Sequence, residues 1–209
     1  MEGDRANRFL AYIFSYMIDK YDVFWFDLFG TLVGRKKNKE NYDRIISFCR
    51  SKNLDYKNIF YLWKTENKKL SELISDLVEL NNNEKTILKN IEESLLEEIS
   101  EINLKPYTKE LLDLLQENWK KLFLISNLGR PYEKVLEKYN LGDYFDLVIF
   151  SYEVWFIKPQ KEIYELAINK YKNKKVIFSG DTYKADILWP KLVWIEGIDI
   201  KDLVSYLLK

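Results

Sequence analysis

The sequence contains no histidine. Ser-His-Asp and Cys-His catalysis in their usual forms are thereby excluded, as is a zinc site built from Cys and His. An enzyme made of this chain must work with carboxylates, lysine and hydroxyls, with or without a hard, oxygen-seeking metal. Cysteine is nearly as scarce. The single thiol, Cys49, rules out an intrachain disulfide and points to a reducing, cytoplasmic setting. It lies in an apolar helical pattern with Ile45, Ile46 and Phe48, the setting of a buried inert thiol rather than a nucleophile.

Net charge is missing too. Thirty-three basic residues balance 33 acidic ones, so a general attraction to nucleic acid or to an anionic membrane is not expected. The run Arg35, Lys36, Lys37, Lys39 is a local exception, either a solvated loop or a substrate-facing anion patch. The apolar stretch FLAYIFSYMI near the start is too short to span a bilayer, which takes roughly 20 residues. Glu2 and Asp4 precede it and no small-residue cleavage site follows. It therefore reads as a docked helix, capped by Asp4 or Asn7 and ending near Lys20, and not as a signal peptide.

What is present is the composition of a soluble globular protein: 209 residues, 47% hydrophobic and 32% charged. Short apolar runs read as strands at Val23 to Phe26, KLFLIS (121–126), DLVIF (146–150), KVIFSGD (175–181) and LVWIEG (192–197). Helical patterns separate them, one beginning at Pro131, a residue suited to a first helical position. The strands are apolar throughout rather than alternating, which predicts an α/β fold with a parallel sheet covered on both faces. Residues 35–104 differ in character. They are rich in Lys, Glu, Leu and Asn, with helical spacing at Leu70, Leu73, Ile74, Leu77 and at Ile87, Leu88, Ile91, Leu95. This segment reads as an inserted all-helical lobe, with NNNEK as an internal turn or cap.

Ligands of parallel sheets bind beyond the carboxyl ends of the strands. The residues at those ends are Asp27, Ser126 with Asn127, Lys158 and Asp181. Asp27 is either a turn cap or a nucleophile able to form a covalent ester that water then hydrolyses. Asp181, with Asp186 five residues on, forms either a capped turn or an Mg²⁺ site. Ser126 is suited to hydrogen-bonding a transferred anion and Lys158 to neutralising its charge. Each of these readings is weak alone.

Together, FDLFGTL, LISN, KPQKEIY and IFSGDTYKAD resemble, in order, the four motifs of the haloacid dehalogenase-like (HAD) hydrolases. The resemblance implies a Rossmann-like core (1–34 and 105–209, with 1–20 an extra N-terminal helix) and a helical cap (35–104). It also implies that Asp27 attacks, that Ser126 and Lys158 stabilise the transferred group, and that Thr31 and Asn127 lie at the substrate. Mg²⁺ is expected to be held by Asp27, the carbonyl of Phe29, Asp181 and Asp186.

Phe29 departs from the pattern. Phosphatases of the superfamily usually carry a second aspartate there as general acid/base, a contribution worth roughly 10²–10⁴ in rate. Phenylalanine cannot move a proton. Its backbone carbonyl remains available to a metal. An aromatic at this position resembles the 2-haloacid dehalogenases, whose halide leaves without a proton, and SN at 126–127 and Tyr164 suit that subgroup. Its members, however, need no metal, carry a Ser-x-Asn fourth motif and use a substrate-binding arginine, for which Arg44 and Arg50 are the candidates, ahead of Arg35. The expected function is therefore a hydrolase acting on a small anionic substrate, with Mg²⁺-dependent phosphohydrolysis at a good leaving group in front. The alternatives are metal-independent dehalogenation and a weakly active or non-catalytic anion-binding protein.

Overall fold

The computed structural model describes residues 15–35, 39–171 and 173–208. Residues 15–20 are helical; the start of the docked helix read from the sequence lies outside the described residues. Five strands follow: β1 Val23–Phe26, β2 Lys121–Ser126, β3 Leu147–Phe150, β4 Val176–Gly180 and β5 Glu196–Asp199. They form one sheet in the order β3-β2-β1-β4-β5, and every pairing is parallel.

The absence of alternation in the strands has its cause in this arrangement. Val23 and Trp25 of β1 pack with Phe123, Ile125 and Phe178 on one face. Phe24 and Phe26 pack with Leu122, Leu124 and Ile177 on the other. Neither face meets water, so both sets of positions are apolar. Trp25 stacks on Phe123 with 5.9 Å between ring centroids.

The helices are α1 Lys39–Ser51, α2 Tyr56–Thr65, α3 Leu70–Leu77, α4 Asn82–Glu101, α5 Thr108–Glu117, α6 Lys134–Tyr139, α7 Ser151–Val154, α8 Lys161–Ile168 and α9 Ile200–Leu207. Residues 39–101 hold α1 to α4 and no strand. The NNNEK turn is the start of α4: Asn81 accepts from the Glu84 amide at 3.0 Å while Glu84 accepts from the Asn81 amide at 2.9 Å, a reciprocal cap. The buried face of α4 is Leu88, Ile91, Leu95, Glu98 and Ile99. In α3 the stripe is shorter than its sequence suggests, since Leu70, Leu73 and Ile74 are buried but Leu77 is exposed. Ile87, at the edge of the α4 stripe, is exposed as well. Cys49 is a free, buried thiol, and burial pushes its pKa up.

The last strand starts later than its apolar run. Trp189–Val193 forms a 3₁₀ turn, and Trp194, almost fully exposed, takes a left-handed conformation with φ 64°. That residue breaks the run LVWIEG, and sheet pairing begins only at Glu196. Among the described residues, no helix is long and apolar enough to cross a membrane.

Candidate active site

The register of the sheet brings three chain segments to one edge. Phe26 pairs with Leu124 on one side and Ser179 on the other. Asp27 follows immediately, and its amide donates to the Ser179 carbonyl at 3.1 Å. Ser126 closes β2, and Asp181 follows the last residue of β4.

Between them lies a buried ion triad. The Lys158 Nζ donates to Asp27 Oδ1 at 2.8 Å and to Asp186 Oδ1 at 2.7 Å. Its side chain is 3% exposed, against 8% for Asp27 and 1% for Asp186. Burial alone would lower the lysine's pKa. The charges of Asp27 and Asp186 and the hydrogen bonds to both outweigh burial and hold it above its usual range. Ser126 Oγ lies 3.3 Å from Asp27 Oδ1.

Lys158 and Asp186 are held from behind. Asn127 Oδ1 accepts from the Lys158 amide and its Nδ2 donates to the Lys158 carbonyl, both at 2.7 Å. Asp186 Oδ2 accepts from the Thr182 amide at 2.9 Å. Tyr164 OH donates to the Ala185 carbonyl at 2.5 Å and so ties α8 to the acidic loop. Gly180 leaves room for Asp186, since a Cβ there would fall 2.3 Å from Asp186 Oδ2.

Phe29 sits in a tight turn after β1. The Leu28 carbonyl accepts from the amides of Leu32 and Val33, and the Gly30 amide donates to the Val33 carbonyl. Gly30 has φ +89°, a backbone state that L side chains rarely adopt. The Phe29 carbonyl accepts from Arg35 Nε at 2.9 Å, and Arg35 Nη2 donates to Asp181 Oδ1 at 2.9 Å.

Asp27, Asp181 and Asp186 each offer a carboxylate oxygen, all within 4.8 Å of one another. With the nearby Phe29 carbonyl, this is an all-oxygen donor set of the kind that suits a hard divalent cation. The residues present therefore fit Mg²⁺.

A cleft of about 430 Å³ opens over this group, lined among others by Asp27, Phe29, Ser126, Asn127, Lys158 and Asp186. Thr31 is not among its lining residues. It is fully buried beneath the turn, and its carbonyl accepts from Tyr107 OH at 2.7 Å. Arg35, Lys64 from α2 and Tyr132 also line the cleft. Of the three arginines weighed from the sequence, Arg35 lines the cleft, whereas Arg50 lies over the Tyr56 ring and Arg44 is not among the lining residues. The basic run contained a signal for Arg35. Lys64 and Tyr132 had none, because only the folding of the helical segment onto the sheet edge brings them here. Burial, with the charge of Arg35 nearby, lowers the pKa of the Lys64 ammonium. The aromatic residues of α2 mostly pack: Trp63 is buried and meets Tyr132 at 6.0 Å, while Tyr61 points to solvent.

Comparison with known proteins finds relatives in sequence and in fold. Part of the chain is 37% identical over 87 residues to the pyrimidine 5'-nucleotidase YjjG of Escherichia coli, covering 40% of this chain and 38% of that protein. Another match, 30% identical over 103 residues, is to the ribulose-1,5-bisphosphate 5-phosphatase of Halopiger xanaduensis, covering 48% and 43%. The matched region thus spans less than half the length of these relatives. The fold is shared with a HAD family enzyme of Bacteroides thetaiotaomicron solved with magnesium and inorganic phosphate, at a TM-score of 0.62 and 19% identity over 86% of this chain and 93% of that one. It is shared also with a HAD phosphatase of Thermococcus onnurineus, at a TM-score of 0.59 and 20% identity over 89% and 97%. Residues 21–190 match the family model of the haloacid dehalogenase-like hydrolases, and the chain belongs to that family.

Proposed function

We propose that this hydrolase is an Mg²⁺-dependent phosphohydrolase that uses Asp27 as its nucleophile and acts on a small phosphorylated substrate with a good leaving group. The observation that carries this reading is the convergence of Asp27, Asp181 and Asp186 around one point, with Lys158 bonded to Asp27. The names of the two curated relatives, a nucleotidase and a phosphatase, support phosphoryl transfer over dehalogenation. The acidic loop supports it too, since dehalogenation has no use for a metal.

In this mechanism Asp27 Oδ2, the oxygen that Ser126 and Lys158 do not engage, attacks phosphorus. The bond from phosphorus to the leaving oxygen breaks, and the leaving group departs with the electron pair. Ser126 Oγ and the Lys158 ammonium hold the phosphoryl oxygens as their charge redistributes. Water then attacks the phosphorus of the aspartyl phosphate. The P–O bond to Asp27 breaks, its carboxylate is restored, and the water's proton leaves with inorganic phosphate or passes to solvent. Asn127 fixes the Lys158 backbone, and Thr31 holds the turn rather than the substrate. Mg²⁺, held by Asp27, the Phe29 carbonyl, Asp181 and Asp186, would offset the negative charge of the approaching phosphoryl group. Residues 35–104 serve as a cap that covers the cleft and contributes Lys64.

Phe29 restricts the substrate. With no acid at that position, an alkoxide leaving group receives no proton, so acyl and aryl phosphates are favoured. Hydrolysis of acetyl phosphate and p-nitrophenyl phosphate is expected to require Mg²⁺ and to disappear in Asp27→Asn. Phosphate release that survives Asp27→Asn would overturn the proposal. Metal-independent halide release from L-2-chloropropionate would replace it with the dehalogenase reading.

A further inference from the structure

Two cations face the three carboxylates, and they differ in kind. Lys158 is buried and locked by Asn127. Arg35 reaches in from the loop after β1 with a side chain that is 45% exposed. Its guanidinium spans the Phe29 carbonyl and Asp181 Oδ1, both at 2.9 Å, and touches Thr182 Oγ1 at 3.3 Å. The carbonyl and the carboxylate are two of the groups expected to hold the metal.

The space is too small for both occupants. A Cβ built on Gly30 would fall 2.0 Å from Asp181 Oδ2 and 2.8 Å from Arg35 Nε. Asp181, Arg35 and the Gly30 backbone therefore already crowd one small volume. Mg²⁺ binds oxygen at about 2.1 Å in a near-octahedral shell and keeps several waters. A guanidinium on the same two oxygens excludes those waters and repels the ion.

We propose that Arg35 and the divalent cation are alternative occupants of this one site: in the metal-free protein Arg35 donates to the Phe29 carbonyl and neutralises Asp181, and it swings out when the metal binds. The exposure of the arginine makes the exchange feasible, because it can leave for solvent or for the anionic substrate in the cleft without opening the core. Lys158 stays in place throughout. The inference rests on the metal-binding reading of Asp27, Asp181 and Asp186, and it adds a cost to metal binding that this chain builds into itself.

The test is Mg²⁺ binding by calorimetry, checked by depletion of the free Mn²⁺ electron-spin signal, on the full chain and on Arg35→Ala, Arg35→Lys and Asp181→Asn. Arg35→Ala is expected to bind Mg²⁺ about tenfold more tightly, or ~1.4 kcal/mol. Arg35→Lys keeps the charge but loses the planar fork, so it too is expected to bind more tightly than the wild type. Asp181→Asn is expected to lose most binding. Equal affinity in the wild type and both arginine variants would overturn the exchange while leaving the metal site intact. Tighter binding in Arg35→Ala with wild-type affinity in Arg35→Lys would reduce the effect to long-range charge, and would also overturn it. No binding by any protein, by either method, would overturn both the exchange and the metal reading beneath it.

Discussion

The rings of Phe29 and Tyr132 meet edge to face, 5.6 Å between centroids and 85° between planes. Phe29 is thus a packed residue at the place where the motif resemblance leads one to expect a proton donor. Tyr132 in turn meets Trp63 of α2, and Trp63 lies 6.5 Å from Phe60. A row of aromatic contacts links the helical segment to the turn after Asp27.

This packing predicts how Phe29→Asp will behave. The variant gains an acid but loses the ring contact with Tyr132, worth about 0.5–1.5 kcal/mol beyond the lost area. Turnover of an alkyl phosphate is expected to rise roughly 10²-fold relative to p-nitrophenyl phosphate, whose leaving group needs no proton. Steady-state kcat on the two substrates gives the ratio, and an unchanged ratio would mean that residue 29 does not face the leaving group.

Lys158 is predicted to be needed for stability as well as for turnover. Lys158→Met leaves Asp27 and Asp186 buried beside one another without their shared cation. Breaking a buried ion pair in this way costs about 3–5 kcal/mol. Urea melts at neutral pH are expected to show a loss of that order, partly recovered on acidification as Asp186, whose carboxyl burial holds above its usual pKa, takes up a proton. A stability loss that does not depend on pH would show that packing, and not charge, accounts for the lysine's contribution.

Gly30 should tolerate no side chain. Its φ of +89° strains any L residue, at about 1–3 kcal/mol, and an added Cβ would meet Asp181 Oδ2 at 2.0 Å. Gly30→Ala is expected to displace Asp181 and weaken Mg²⁺ binding at least about tenfold. Gly142→Ala supplies the control, because nothing lies within 4 Å of the Cβ it would add. Comparable metal affinity in both variants would remove Asp181 from the metal set.

The sequence carried the parts of this structure that repeat local rules. Five apolar runs, unalternated, imply a parallel sheet, and four of them begin and end close to where β1 to β4 do. Asp27, Ser126, Lys158 and Asp181 were candidates because strand ends converge in such a sheet, and Asp186 entered only as the second carboxylate of the acidic loop. The late start of β5 was not, since the left-handed turn at Trp194 is a tertiary choice that apolar character does not reveal. Thr31 carries a motif position yet is fully buried, because the tight turn around Gly30 is tied back to the start of α5 by Tyr107 and Thr108, which donate to the Thr31 and Leu32 carbonyls. Lys64 and Tyr132 join the cleft through contacts between elements far apart in sequence, and no periodicity encodes these.

Alkaline pH offers a test of the packing around the tyrosines. Burial, more than any neighbouring charge, pushes Tyr21, Tyr107 and Tyr152 each up to about 12 from 10.0. The folded state therefore keeps these protons at a pH where the unfolded chain has lost them. The stabilisation is fully present below pH 10 and is lost as pH rises through the window from 10 to 12. Each tyrosine contributes on the order of 1–2 kcal/mol once partial exposure is allowed for. Unfolding by circular dichroism and tyrosinate absorbance are expected to rise together and steeply near the top of that window. Tyr107→Phe removes one titrating group and the hydrogen bond to the Thr31 carbonyl. It should cost about 1 kcal/mol at neutral pH and flatten the alkaline slope. Tyrosinate that appears gradually from pH 10 while the circular dichroism holds constant would mean that these hydroxyls are open to solvent.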